Sequence, residues 1–212
     1  MEVIKKEGSM KEESNAMDVN TKNAKTNNCT IPESAYYRRS CTLSDQMVKM
    51  LVLQMGHELE NYTMYKTFAA YFYRNDLSKL GVYYDLRARE EDEHHEWIYN
   101  YLTECDADFS YPAVPAINIK INDHIEPFKL TVDREILTTL NIDQLVNQAA
   151  SEGDWATFNF LQGEDKKTGK LVKEQREEES ISRTIYGMAK LDVDWLKKQD
   201  SILNFYQNPD AE

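Results

Sequence analysis

From position 44 onward, large apolar side chains recur at three- and four-residue steps, the period of one buried face of an α-helix. Met47, Leu51, Met55, Leu59, Tyr62, Tyr65 and Ala69 form the first such stripe and predict a helix from Thr42 or Ser44 to near Asn75. A second helix, from about 78 to 105, carries Leu80, Tyr84, Ala88, Ile98 and Leu102 along one face. The following "DADFSYPAVPAIN" holds two prolines and no helical period, which predicts an extended crossover over the surface. Ile125, Phe128, Val132, Ile136, Ile142, Leu145 and Ala149 then predict a third helix, capped by Asn122 or Asp123, with Pro127 tolerated in its first turn and "SEGD" as its end. A fourth begins near Trp155, is interrupted by the Gly-bounded "GEDKKTG", and resumes from Lys170 to about Ala189. A short fifth spans Val193 to Tyr206.

Short connections after the first and third helices, and a long one after the second, describe an all-α protein, a four-helix bundle of the crossover type. Residues 1–42 are rich in Lys, Glu, Asn, Ser and Thr, a composition that does not offset its own ordering entropy. The expected organisation is therefore a flexible polar extension over 1–42 and a bundle domain over 43–212 carrying an insertion at 163–170, which is expected to bulge as a loop.

Several acids interrupt the apolar stripes. A carboxylate desolvated without a partner costs several kcal/mol and normally turns outward. Glu58 is nevertheless in register with Leu51, Met55, Tyr62 and Tyr65. Glu91 shares the face of Tyr84, Ala88 and Ile98, with His94 one turn further on the same side, close enough for both to hold one ion. Glu135 is flanked by Phe128, Val132 and Ile142, while Gln175 and Glu178 sit among Leu171, Val172, Ile181 and Ile185. The spacing repeats: Glu58 precedes Glu91-x-x-His94 by 33 residues, and Glu135 precedes Gln175-x-x-Glu178 by 40, the excess matching the interruption of the fourth helix. Carboxylates from all four helices with one imidazole form the ligand set of dinuclear metal sites in bundle cores, and suit iron or manganese better than structural zinc.

The segments "QMGHELENYTMY", "RAREEDEHHEWIYNYLTE", "REILTTL", "ATFNFLQ" and "KEQREEE" resemble the corresponding helices of bacterial non-haem ferritins over roughly Ser44 to Gln207. The resemblance implies a ferritin-like four-helix bundle with a long B–C crossover and a short C-terminal fifth helix. It makes Glu58, Glu91 and His94 the ligands of one iron of a di-iron centre, Glu91 bridging and Glu135 completing the second site, with Gln175 beside the pair and Tyr65 hydrogen-bonded near it. Glu90, Glu174, Glu177 and Glu178 match an additional iron site, and Glu93 and Glu96 the acids of an inner wall where mineral nucleates. The implied chemistry is oxidation of Fe(II) by O₂ or H₂O₂ and storage of the Fe(III) product in a homo-oligomeric shell of about 24 subunits. Bacterioferritins place a haem-ligating Met directly after the second-helix glutamate; Asp92 stands there in this chain, so no haem is expected. The alternative from another class is a ferritin-like shell with weak or lost ferroxidase activity, acting as a binding or structural protein.

Charge adds to this picture. The formal net charge of −12 repels phosphate backbones, which makes nucleic acid an unfavourable partner, and attracts cations. Cys29, Cys41 and Cys105 form no C-x-x-C pair and suit a reducing compartment, and no apolar run is long enough for a membrane span, so a cytoplasmic location is expected. "NCT" at Asn28 and "NYT" at Asn61 match the glycosylation pattern by chance on this reading, His95 is expected to be exposed, and His57 and His124 to be surface or cap residues rather than ligands.

Overall fold

The structure, a computed structural model, describes residues 42–163, 171–191, 194 and 199–207. Among these, every regular element is a helix. α1, Asp45–Arg74, starts where the Ser44 side chain accepts the Met47 N–H at 3.0 Å. That hydroxyl also donates to the Glu152 carboxylate, tying the start of α1 to the end of a helix more than a hundred residues away. A tight turn with Asp76 in the left-handed region (φ 58°) leads into α2, Ser78–Glu104.

After the crossover comes α3, Glu126–Glu152, which begins three residues later than the Asp123 cap predicted from sequence. The Asx residue does act locally: Asp123 Oδ1 accepts the N–H groups of Ile125 at 2.8 Å and Glu126 at 2.9 Å. Those bonds close a turn ahead of the helix, so the carboxylate serves the entry bend rather than sitting as the helix cap itself. At the other end Gly153 adopts φ 70°, a conformation that a side chain would strain, and closes α3. α4, Trp155–Gln162, follows at once, its Asp154 accepting from Thr157 N at 3.0 Å. α5, Leu171–Leu191, and α6, Gln199–Gln207, complete the described helices. The expected loop at 163–170 and the expected extension over 1–42 lie outside the described residues, apart from Gly163 and Thr42 at their edges.

α1 packs along α2, and α3 along α4 and α5; α1 also meets α3, and α2 meets α6. The apolar core forms two clusters. One contains Phe68, Phe72, Leu80, Tyr84, Phe128 and Ile185. The other contains Leu51, Met55, Ile98, Leu102, Ile142 and Leu171. In α1 and α5 the chain runs from the second cluster to the first, and in α2 and α3 from the first to the second. Hence α2 and α3 run in the same direction, which is why a long crossover joins them. On each long helix the inward positions between the two clusters are mostly polar and buried, and this band holds the acids singled out above.

The crossover lies close on the bundle. A Cβ built on Gly56 would stand 3.1 Å from Pro112 Cβ, so glycine lets the crossover approach α1. Tyr111 reaches His95, whose Nε2 lies 2.5 Å from its hydroxyl, while Nδ1 donates to the Asp92 carbonyl at 2.9 Å. His95 is consequently buried, not exposed as the sequence suggested: the helix alone would leave it wet, and the crossover covers it. No described helix is long and apolar enough to cross a membrane.

Phe72 is fully buried, stacks on Tyr84 with centroids 5.5 Å apart, and meets Phe128 at 5.7 Å. Phe72→Ala is expected to cost about 3–5 kcal/mol of unfolding free energy, the usual range for removing a buried ring. Chemical denaturation at fixed protein concentration measures it, and a loss below ~1 kcal/mol would contradict the packing described.

Candidate metal centre

Each of four helices presents polar side chains to the band at three- and four-residue steps, so each contributes one inward stripe. α1 supplies Gln54, Glu58, Asn61 and Tyr65; α2 supplies Arg87, Glu91 and His94; α3 supplies Glu135 and Thr138; α5 supplies Gln175, Glu178 and Ser182. All are buried.

Two ligand clusters result, and they share a member. Potential ligand atoms of Glu58, Glu91 and His94 all lie within 4.8 Å of one another, and the same holds for Glu91, Glu135 and Glu178. The structure thus brings together Glu58, Glu91, His94 and Glu135 as the sequence predicted, and adds Glu178 to the second cluster. In the first cluster Glu58 Oε2, Glu91 Oε1 and His94 Nδ1 are buried and make no hydrogen bond. Buried polar atoms are rarely left so, and three converging from two helices form the gap that a cation with oxygen and imidazole ligands fills.

Neutral donors orient the ligands from outside. Gln54 Nε2 donates to Glu58 Oε1 at 2.6 Å. Asn61 Nδ2 approaches Glu91 Oε2 at 3.4 Å and Thr138 Oγ1 at 3.1 Å, while Arg134 Nε donates to Asn61 Oδ1 at 2.8 Å. Buried and committed to this network, Asn61 is no glycosylation acceptor. His57 is bonded through Nε2 to Thr138 at 2.8 Å, and His124 through Nδ1 to the Tyr71 hydroxyl at 2.9 Å, so neither joins the two clusters. Around Glu135 the donors are the Tyr65 hydroxyl, the Arg87 guanidinium, and Gln175 Nε2, which lies 2.6 Å from Oε2. Gln175 therefore turns its amide nitrogen to Glu135, leaving its own Oε1 without a hydrogen bond.

The electrostatics follow from crowding acids away from water. Burial pushes the Glu58 carboxyl well above the usual carboxylate range, and the Glu91 charge pushes it further. Burial likewise raises Glu178 and Glu135, against the pull of Arg87. It would raise Glu91 too, but the His94 imidazole and the Arg87 charge outweigh it and hold Glu91 below its ordinary value. Burial would lower His94, yet the charges of Glu178, Glu174 and Glu91 hold it well above the ordinary imidazole value. Glu58 and His94, both raised, favour the protonated form, and a divalent cation among the same acids would compete with those protons.

On the far side of His94, Nε2 lies 3.3 Å from Glu174 Oε2 and 3.8 Å from Glu178 Oε1. These acids belong to a cleft of about 520 Å³ lined also by Glu90, Glu93, Glu177 and Tyr206. Glu90, Glu174, Glu177 and Glu178, predicted as a group, therefore surround one opening that leads to the buried clusters. Glu93 and Glu96 are exposed on α2; Glu96 lies 3.6 Å from His95 Nε2, away from the two clusters.

Arg87 was not anticipated. It is fully buried, bonded to Glu135, and 3.6 Å from Glu178 Oε2. Its register carried the signal, because it precedes Glu91 by four residues and His94 by seven on the same stripe.

A family model for the ferritin-like domain matches residues 48–187. The bacterial non-heme ferritin of Campylobacter jejuni is 30% identical over 149 residues, covering 70% of this chain and 85% of that protein. The bacterial non-heme ferritin of Staphylococcus aureus is 30% identical over 142 residues, 67% of this chain and 81% of the relative. Among solved structures, an open-pore ferritin from the archaeon Archaeoglobus fulgidus superposes with a TM-score of 0.69 at 25% identity, covering 76% of this chain and 96% of that one.

If the first cluster is a metal site, free metal at about 100 times its Kd raises the unfolding free energy of the metal-free protein by about 2.7 kcal/mol. Glu58→Gln and His94→Ala are expected to lose that increment. Denaturation with and without Co(II) measures it, and an undiminished increment in both variants would remove these residues from the ligand set.

Proposed function

This chain belongs to the ferritin family, and from that membership we propose that it stores iron, oxidising Fe(II) at the paired clusters and holding the Fe(III) product as mineral within a shell of its own copies. The observation that carries this reading is the pair of buried carboxylate clusters joined through Glu91. Glu58 and His94 hold one ferrous ion, Glu135 and Glu178 the other, and Glu91 is common to both. Two Fe(II) ions each give up one electron, and O₂ takes both together with two protons to leave as H₂O₂. Pairing the ions avoids releasing a one-electron oxygen radical. Anionic oxygen ligands favour the Fe(III) product, which lowers the barrier to electron loss.

Tyr65 and Gln175 position Glu135; Gln54 and Asn61 position Glu58 and Glu91. Glu90, Glu174 and Glu177 hold iron in transit through the cleft, and Glu93 and Glu96 offer acids where mineral starts. The negative net charge concentrates ferrous ions near the protein. A closed shell of about 24 subunits in the cytoplasm, with residues 1–42 as an appended extension, completes the reading.

A second reading, a ferritin-like shell with weak or lost ferroxidase activity, is favoured by one observation: the Arg87 guanidinium lies against the carboxylates of the second cluster. Oxidation kinetics separate the two. Anaerobic Fe(II) loading of the purified protein followed by oxygen, with particle size read on the same sample, is expected to show rapid oxidation by a large assembly. Glu58→Ala and His94→Ala are expected to slow the initial rate by about tenfold or more, since even a residue that only orients a ligand is worth 10–100-fold. Unchanged rates would leave the storage shell and remove the ferroxidase.

A further inference from the structure

The two clusters differ in what already occupies their ligand atoms. In the first, one oxygen of Glu58, one of Glu91 and the Nδ1 of His94 make no hydrogen bond. In the second, both oxygens of Glu135 accept hydrogen bonds, Oε1 from Tyr65 and Arg87 and Oε2 from Gln175, while Glu178 Oε2, itself without a hydrogen bond, lies 3.6 Å from the same guanidinium. Arg87 is fully buried, with its guanidinium held against Glu135 and Glu178. One arm of its planar fork, Nη2, lies against both carboxylates, and the other, Nη1, faces Glu90.

The guanidinium also has somewhere to go. Its Nη1 lies 3.4 Å from Glu90 Oε2, and its Cζ lies 5.9 Å from the centre of the Tyr206 ring; both partners line the cleft. Nε makes no hydrogen bond and Nη1 already faces Glu90, so turning the side chain that way gives up the Nη2 contacts with Glu135 and Glu178 and the approach to the Tyr65 ring.

Resting on the ferroxidase reading above, we propose that Arg87 is a tethered cation that competes with metal for the second cluster. The two subsites therefore fill unequally. The Glu58/Glu91/His94 subsite takes its ion first, and the Glu91/Glu135/Glu178 subsite takes one only as Arg87 withdraws towards Glu90 and Tyr206. Charge accounts for the order, since a divalent ion entering beside a fixed guanidinium is repelled, whereas the first cluster has neutral amides around it.

The test is Zn(II) titration of the metal-free, full-length protein by calorimetry, a probe that undergoes no oxidation. The wild-type chain is expected to bind one Zn(II) tightly and a second at least about tenfold more weakly. Glu135→Gln is expected to abolish the weaker step and keep the tight one, which separates the second subsite from binding in the cleft. Arg87→Gln is expected to tighten the weaker step by about tenfold or more and leave the tight step in place. Arg87→Lys keeps a buried charge but loses the fork, and its weaker step should fall between the two; it supplies the comparison if Arg87→Gln does not fold. Two equal steps in the wild type, or a weaker step indifferent to both Arg87 variants, would overturn the proposal while leaving the ferroxidase reading intact. Absence of any tight step in the wild type would overturn both.

Discussion

Four carboxyl groups held out of water at the middle of a helical bundle are the constraint on which this structure turns. Each ionised carboxylate costs several kcal/mol to desolvate, and mutual repulsion adds to that. The surrounding structure answers in three ways: burial raises the proton affinity of Glu58, Glu135 and Glu178, buried amides and the Tyr65 hydroxyl donate to some of the carboxylate oxygens, and one arginine lies between two of them. None of these would hold if water reached the band. The two apolar clusters above and below it, built from aromatic rings at one end and aliphatic side chains at the other, supply that exclusion.

Much of this was legible in the sequence because the relevant information is local. An acid in phase with leucines and tyrosines on a helical stripe is conspicuous, and Glu58, Glu91, His94 and Glu135 each stand out by register alone. The direction of the helices was legible too, since a turn of a few residues forces antiparallel neighbours and a proline-bearing stretch of about twenty permits a parallel pair. What was illegible depended on contacts between distant segments. His95 is covered by Tyr111 of the crossover, whose path has no period to read. Asp123 looked like the cap of α3 because Asx residues favour that place, but its bonds organise the turn before the helix.

Arg87 was missed for a different reason. Its register placed it inside, but a long cationic side chain usually carries its charge out to solvent, so position and residue type pointed in opposite directions. What settles the conflict is the partner: with Glu135 from α3 and Glu178 from α5 converging on it, the guanidinium is held inside by charges that lie 48 and 91 residues away in the chain. A residue whose burial depends on two other helices cannot be read from one of them.

The contrast between the two clusters also bears on how such a site balances stability with binding. Around the first cluster the supporting donors are amides, which orient Glu58 and Glu91 and bring no fixed positive charge with them. Around the second, Arg87 neutralises Glu135 directly, which relieves repulsion in the metal-free bundle and weakens the attraction that would draw a second ion. Stability of the empty protein and affinity for the full metal complement therefore pull in opposite directions at one side chain, as they commonly do where a site is built from groups that a plain core would exclude. Tyr206 and Glu90 beside that side chain make the compromise reversible: the same positive charge that steadies the empty site has a second place to rest at the mouth of the cleft.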